Sequence, residues 1–216
     1  MRIGALLLLI FPTLSATAQE PAEVRLVIAQ GGKETGREEF TLRPNRARGA
    51  PGTTLIAAAR YPATAPTTRL AATLERTPGP EFALAKFQLD VESPSGTTVI
   101  LAAGSGARLI VRTVAKGSES GRELPGGPDV VLLDDGIFSL YAAVASLATP
   151  AGRSLTAIFP RTGKRATFSA RREAGDAGSV RVTLAGDIGG TLVTDPDGRL
   201  IRLELPNQGI VVSRTE

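Results

Sequence analysis

Two adjacent carboxylates, Asp134 and Asp135, stand in the stretch VVLLDDGIFSLYAAVASLATPAG (130–152), and the run from Gly136 to Gly152 is uncharged. Paired carboxylates can serve acid–base hydrolysis, as in glycosidases, where one donates a proton and the other attacks or activates water. Neighbouring residues diverge in direction, however, and these two immediately precede an apolar segment of helical period. There a carboxylate accepts hydrogen bonds from the first free N–H groups and meets the positive end of the helix dipole. That environment lowers an aspartate's pKa, which suits neither a general acid nor a near-neutral base. The expectation is therefore that Asp134 or Asp135 caps a helix.

Other chemistry is scarce. The chain has no histidine and no cysteine. Ser-His-Asp and Cys-His mechanisms and His-based metal sites are therefore excluded. No nucleophile elbow, S-x-x-K, phosphate loop or dinucleotide fingerprint occurs. Asp195-Pro196-Asp197 could begin a calcium loop, but six to eight oxygens are needed and no further acidic spacing follows. With Gly198 after it, the segment reads as a tight hairpin turn. A carboxylate-only hydrolase remains as the enzymatic reading, without the tryptophan that sugar clefts favour. No catalytic residue, cofactor or metal is assigned, and a non-enzymatic protein is expected.

Placed on a helix, Ile137, Leu140, Tyr141, Val144 and Leu147 gather on one side, with Phe138 and Ala145 at the flank. A helix apolar nearly all round is a buried helix. It is predicted at about 136–148, roughly 18 Å long, and ends at Thr149-Pro150-Ala151-Gly152. These five residues are the candidate lining of an apolar cradle.

The elements that must hold this helix are strands. Short β-prone runs punctuated by Gly and Pro are read at 23–30, 34–43, 53–61, 67–77, 81–92, 97–103 and 107–116. After the helix come 153–160, 165–173, 179–187, 190–195, 199–206 and 209–214. In SVRVTLAGD, Val180, Val182 and Leu184 face one way; in RLIRLELP, Ile201, Leu203 and Leu205 are set against Leu200, Arg202 and Glu204. Such alternation marks a sheet with one face in a core and one wet. The fold predicted is mainly β: an antiparallel meander forming an open or half β-barrel wrapped around one central apolar helix.

At the start, Arg2, the apolar run Ile3–Leu14 and Ala16-Thr17-Ala18 form a signal peptide, with cleavage expected near Ala18. The apolar run is too short for a spanning helix, which needs about 20 residues, so no membrane span is predicted. Residues 19–216 then form a single β-rich domain, secreted or periplasmic. The formal charge is +4, from 25 Lys and Arg against 21 Asp and Glu. Basic stretches at 43–48 and 161–173 read as solvated surface. Two tyrosines, seven phenylalanines and no tryptophan give no stacking platform for nucleic acid.

A sheet cradling an apolar helix resembles the fold of the bacterial lipoprotein carriers, in which a similar cradle holds acyl chains. From LPGGPDVVLLDDG (124–136) onward, and above all in GTLVTDPDGRLIRLELPNQGIVVSR (190–214), the chain also resembles uncharacterised secreted bacterial proteins. The resemblance implies an acyl-chain or other hydrophobic ligand in the concave face, and it carries over no functional residue. The alternative is a structural or interaction module with a filled cradle and another secreted protein as partner. The two differ in whether space remains beside the helix.

Overall fold

The structure, a computed structural model, describes residues 22–47, 50–77 and 84–215. The expected signal peptide, residues 1–18, and its cleavage point lie outside the described residues.

The chain enters at the middle of the sheet and works outward. β1 (Val24–Gln30), β2 (Lys33–Ala47), β3 (Ala50–Tyr61) and β4 (Thr68–Arg76) are laid side by side. β5 (Leu84–Ser93), β6 (Gly96–Ser105), β7 (Arg108–Ala115) and β8 (Ser118–Pro125) continue to one edge. The chain then crosses to the opposite edge, where β9 (Val130–Leu132) precedes the helix. β10 (Arg153–Ile158), β11 (Arg165–Ala174), β12 (Val180–Gly186), β13 (Gly190–Thr194), β14 (Leu200–Leu205) and β15 (Ile210–Thr215) return inward until β15 pairs with β1. All pairs are antiparallel except β9 with β10. A parallel pair requires a crossover connection, and that crossover carries the helical segment. Among the described residues no ladder joins β8 to β9, so the sheet is open.

Alternation explains the core. Leu55, Ala57 and Ala59 on β3, Leu70, Ala72 and Leu74 on β4, and Phe87, Leu89 and Val91 on β5 are buried at every second position. Ala166, Phe168 and Ala170 on β11 and Val182 and Leu184 on β12 repeat the pattern. These residues and the helical segment form one apolar cluster. The outer face carries exposed ion pairs, such as Arg171–Glu173 and Arg202–Glu204, each worth no more than about 1 kcal/mol.

Three expectations are corrected. β8 and β9 are strands that the sequence pattern did not reveal. In β14, Ile201 faces no partner where the register shifts between Val193 and Thr194, so Leu200 and Leu203 are both buried. The helix predicted over 136–148 is a 3-10 turn, Phe138–Tyr141, running into the short helix α1, Ala142–Leu147. Ile137 is extended, and beyond Leu147 Thr149 bridges to Arg171 of β11. Pro150 also disfavours a helical conformation for the residue before it. α1 is the one α-helix among the described residues, and no helix there is long and apolar enough to cross a membrane.

Candidate functional site

Because strand side chains alternate, a charged residue at an inward position must be satisfied within the core or at its rim. Three strands place one there. On β2, Glu38 shares the inward face with Phe40 and Leu42; on β4, Arg76 continues the stripe Leu70, Ala72, Leu74; on β11, Arg172 continues Ala166, Phe168, Ala170. Glu38 and Arg76 are each 1% exposed.

Glu38 sits at the start of the helical segment. Its carboxylate accepts the N–H groups of Phe138 at 2.7 Å and Ser139 at 3.0 Å. These are the orphan donors that any helix start presents. Burial pushes the Glu38 carboxyl up to about 7, against the downward pull of those N–H groups, and nearby Asp134 adds to the rise.

The expectation that Asp134 or Asp135 caps the helix is thus corrected. Asp134 accepts the N–H of Gly136 at 2.8 Å, ahead of the first helical turn. It also takes both arms of Arg161, Nε at 3.0 Å and Nη2 at 2.9 Å. Burial raises the Asp134 carboxyl from its ordinary value, while Arg161 and the Gly136 N–H oppose the rise. The lowered pKa expected from the sequence is therefore also corrected: desolvation outweighs the opposing partners. Asp135 is exposed. The Tyr61 hydroxyl donates to the Gly136 carbonyl at 2.9 Å, so the helix entry is fastened from β2, β3 and the β10–β11 turn.

The other side of α1 borders a cleft of about 220 Å3. The helix contributes Ala142, Ala143, Ala145 and Ser146; the sheet contributes Leu42, Leu55 and Leu74. Val180 and the β13–β14 turn, Asp195–Gly198, complete the wall, with Arg76 and Arg172 bordering the same space. The turn is self-supporting: Asp195 Oδ1 accepts the Arg199 N–H at 2.8 Å, and Gly198 takes φ +80°. Its carboxylates are already matched, Asp195 by Arg214 at 3.0 Å and Asp197 by Arg199 at 2.8 Å. Arg172 is exposed, and its guanidinium has no partner among the described residues. Burial, then the charge of Arg153, lowers Arg76 to about 9, so it is still a cation at neutral pH.

Ile137, Leu140 and Val144 are 0% exposed, and Tyr141 and Leu147 are buried with them in the apolar cluster. None of the five borders the cleft. Glu38 and Asp134 do not border it either. A larger hollow of about 470 Å3 lies near the β6–β7 turn, bordered mostly by Gly, Ala and Pro. Its one charged residue, Arg108, faces Glu123 at 3.5 Å, so it lacks the converging polar groups of a ligand site. Sequence reasoning missed Glu38, Arg76 and Arg172. The available signal was their place in the two-residue period of an apolar stripe.

No protein-family model matches the chain, and no curated protein matches it. Among solved structures, it is similar to a DUF1089 family protein from Pseudomonas aeruginosa, with a TM-score of 0.46 and 14% identity. The match covers 79% of this chain and 90% of that one. At this distance the likeness carries no argument about function. These comparisons lend no support to the resemblance to lipoprotein carriers.

Proposed function

We propose that this chain is an exported, non-enzymatic binding protein whose sheet curls as a half-barrel about its helix and takes a small apolar molecule in the cleft. The observation that carries the reading is the alanine side of α1. Ala142, Ala143 and Ala145 face Leu42, Leu55 and Leu74 across open space, where larger side chains would have closed it. The half-barrel is supported by the packing of the helical segment against β2 and β11 to β14. It is also supported by Arg122 of β8, which donates to the Pro160 carbonyl in the β10–β11 turn. The cleft is smaller than the pockets of about 300 to 1,000 Å3 that take drug-sized ligands, so the ligand is a short one. Titration with 1-octanol tests this. The native protein should bind it saturably, and Ala143→Leu should abolish binding; unchanged binding in the variant would place the ligand elsewhere.

The second reading is a structural or interaction module with a filled cradle. The tight burial of Ile137, Leu140 and Val144 favours it on the opposite side of the helix. Absence of octanol binding by the native protein would favour that reading. Export behind residues 1–18 is tested separately by intact mass: the secreted form should begin at Gln19.

A further inference from the structure

We propose that the cleft selects amphiphiles with an anionic head, a carboxylate or phosphate on a short alkyl body, and that Arg172 holds that head. The inference rests on the reading of the cleft as a ligand site and adds the charge of the ligand.

Four observations on the cleft converge. Its floor is apolar, formed by Leu42, Leu55, Leu74 and the alanines of α1. Its two carboxylates, Asp195 and Asp197, are each neutralised by an arginine of their own. Arg172 on its wall is positive and has no partner for its guanidinium among the described residues. Arg172 also stands where the stripe Ala166, Phe168, Ala170 would next place an apolar residue, so its guanidinium is carried on the core face of β11. The adjacent Arg171 is turned to the outer face and paired with Glu173 at 2.6 Å.

A guanidinium is a planar fork that binds carboxylate and phosphate oxygens through two parallel N–H bonds. It offers an alcohol no such match. Hydrogen bonds to charged groups are the stronger kind, and at an exposed guanidinium water and salt screen part of that gain. An alkyl chain along the alanine face with its head at Arg172 satisfies both halves of the cleft. An uncharged ligand of the same tail satisfies only one.

Calorimetric titration of the full chain with octanoate, octyl phosphate and 1-octanol, all below micellar concentrations, separates the outcomes. The two anions should bind up to about fivefold more tightly than octanol, the ratio an exposed ion pair gives. Arg172→Gln, an exposed substitution, should bring the affinities of the two anions down to that of octanol. A preference for one anion over the other identifies the head as carboxylate or phosphate. Equal binding of anions and octanol by the native protein would overturn the head-group inference and leave the cleft reading standing. Anion preference that survives in Arg172→Gln would overturn the role of Arg172. If none of the three ligands binds, the cleft reading falls, and this inference with it.

Discussion

Glu38 accepts the backbone N–H of Ser139 at 3.0 Å across 101 residues of sequence. A side chain of the second strand therefore does what a local cap does in other helices. The link joins the outward-running half of the sheet to the crossover, and both groups are buried. Replacing Glu38 with alanine leaves the N–H groups of Phe138 and Ser139 without their acceptor. A buried donor left unsatisfied costs about 1 to 3 kcal/mol. Glu38→Gln, which keeps one acceptor oxygen, should cost less than Glu38→Ala by urea denaturation. Equal, negligible losses in both variants would show that the helix start holds without β2.

The same carboxylate predicts a pH dependence. Its pKa in the folded protein is about 7, above the ordinary 4.5. Between those values the folded state binds more protons than the unfolded one, so stability falls as pH rises from about 4.5 to 7. A rise of this size corresponds to about 3 kcal/mol at most. Asp134 and Tyr61 are nearby acids whose own pKa values are raised, with Arg161 opposing them. The comparison that isolates Glu38 is therefore between the native protein and Glu38→Gln. Melting temperature should decline with pH across this window in the native protein and decline less in the variant. A native protein that grows more stable from pH 5 to 7 would contradict the raised value.

The pair of aspartates should separate sharply. Asp134 is buried and held in both arms of Arg161, while Asp135 is exposed. Arg161→Ala would strand a carboxylate whose side chain is 1% exposed. Breaking a buried pair in this way costs about 3 to 5 kcal/mol, less whatever protonation of Asp134 recovers. Asp135→Ala should lie within about 0.5 kcal/mol of the native protein, as exposed substitutions do. Chemical denaturation of both variants checks this, and comparable losses would mean that Asp135 has an unseen structural role.

Legibility in the sequence followed wetness. β12 could be read because Val180, Val182 and Leu184 alternate with polar residues, as a strand with one dry face must. β8 could not: it is an edge strand, SESGRELP, nearly all exposed, so neither face imprints a period. β9 was hidden because Val130, Val131 and Leu132 merge with the apolar run of the helix. That the segment is helical and buried was legible, but its length and the 3-10 character of its first turn were not, since Glu38 and the Thr149 bridge hold its ends from distant strands. Arg172 was legible in principle by counting from Phe168. Its neighbour Arg171 made the pair look like one basic surface patch, although successive strand residues point to opposite faces.

The two sides of the helix should answer opposite substitutions. Leu140 is 0% exposed within the apolar cluster, so Leu140→Ala removes packed methyl groups and leaves a cavity. Such changes cost about 2 to 5 kcal/mol. Leu140→Asp would bury an unpaired charge and cost more still. Ala143 borders the cleft instead, so Ala143→Leu extends a side chain into open space, where added apolar burial offsets any strain. Its stability should remain within about 1.5 kcal/mol of the native protein, the range of tolerated hydrophobic exchanges. Octanol binding should be lost from Ala143→Leu and retained by Leu140→Ala at temperatures where that variant is folded. Thermal melts paired with the titration measure both quantities on the same samples. If Leu140→Ala abolished binding while Ala143→Leu preserved it, the ligand would occupy the Leu140 side of the helix and the cleft would be excluded.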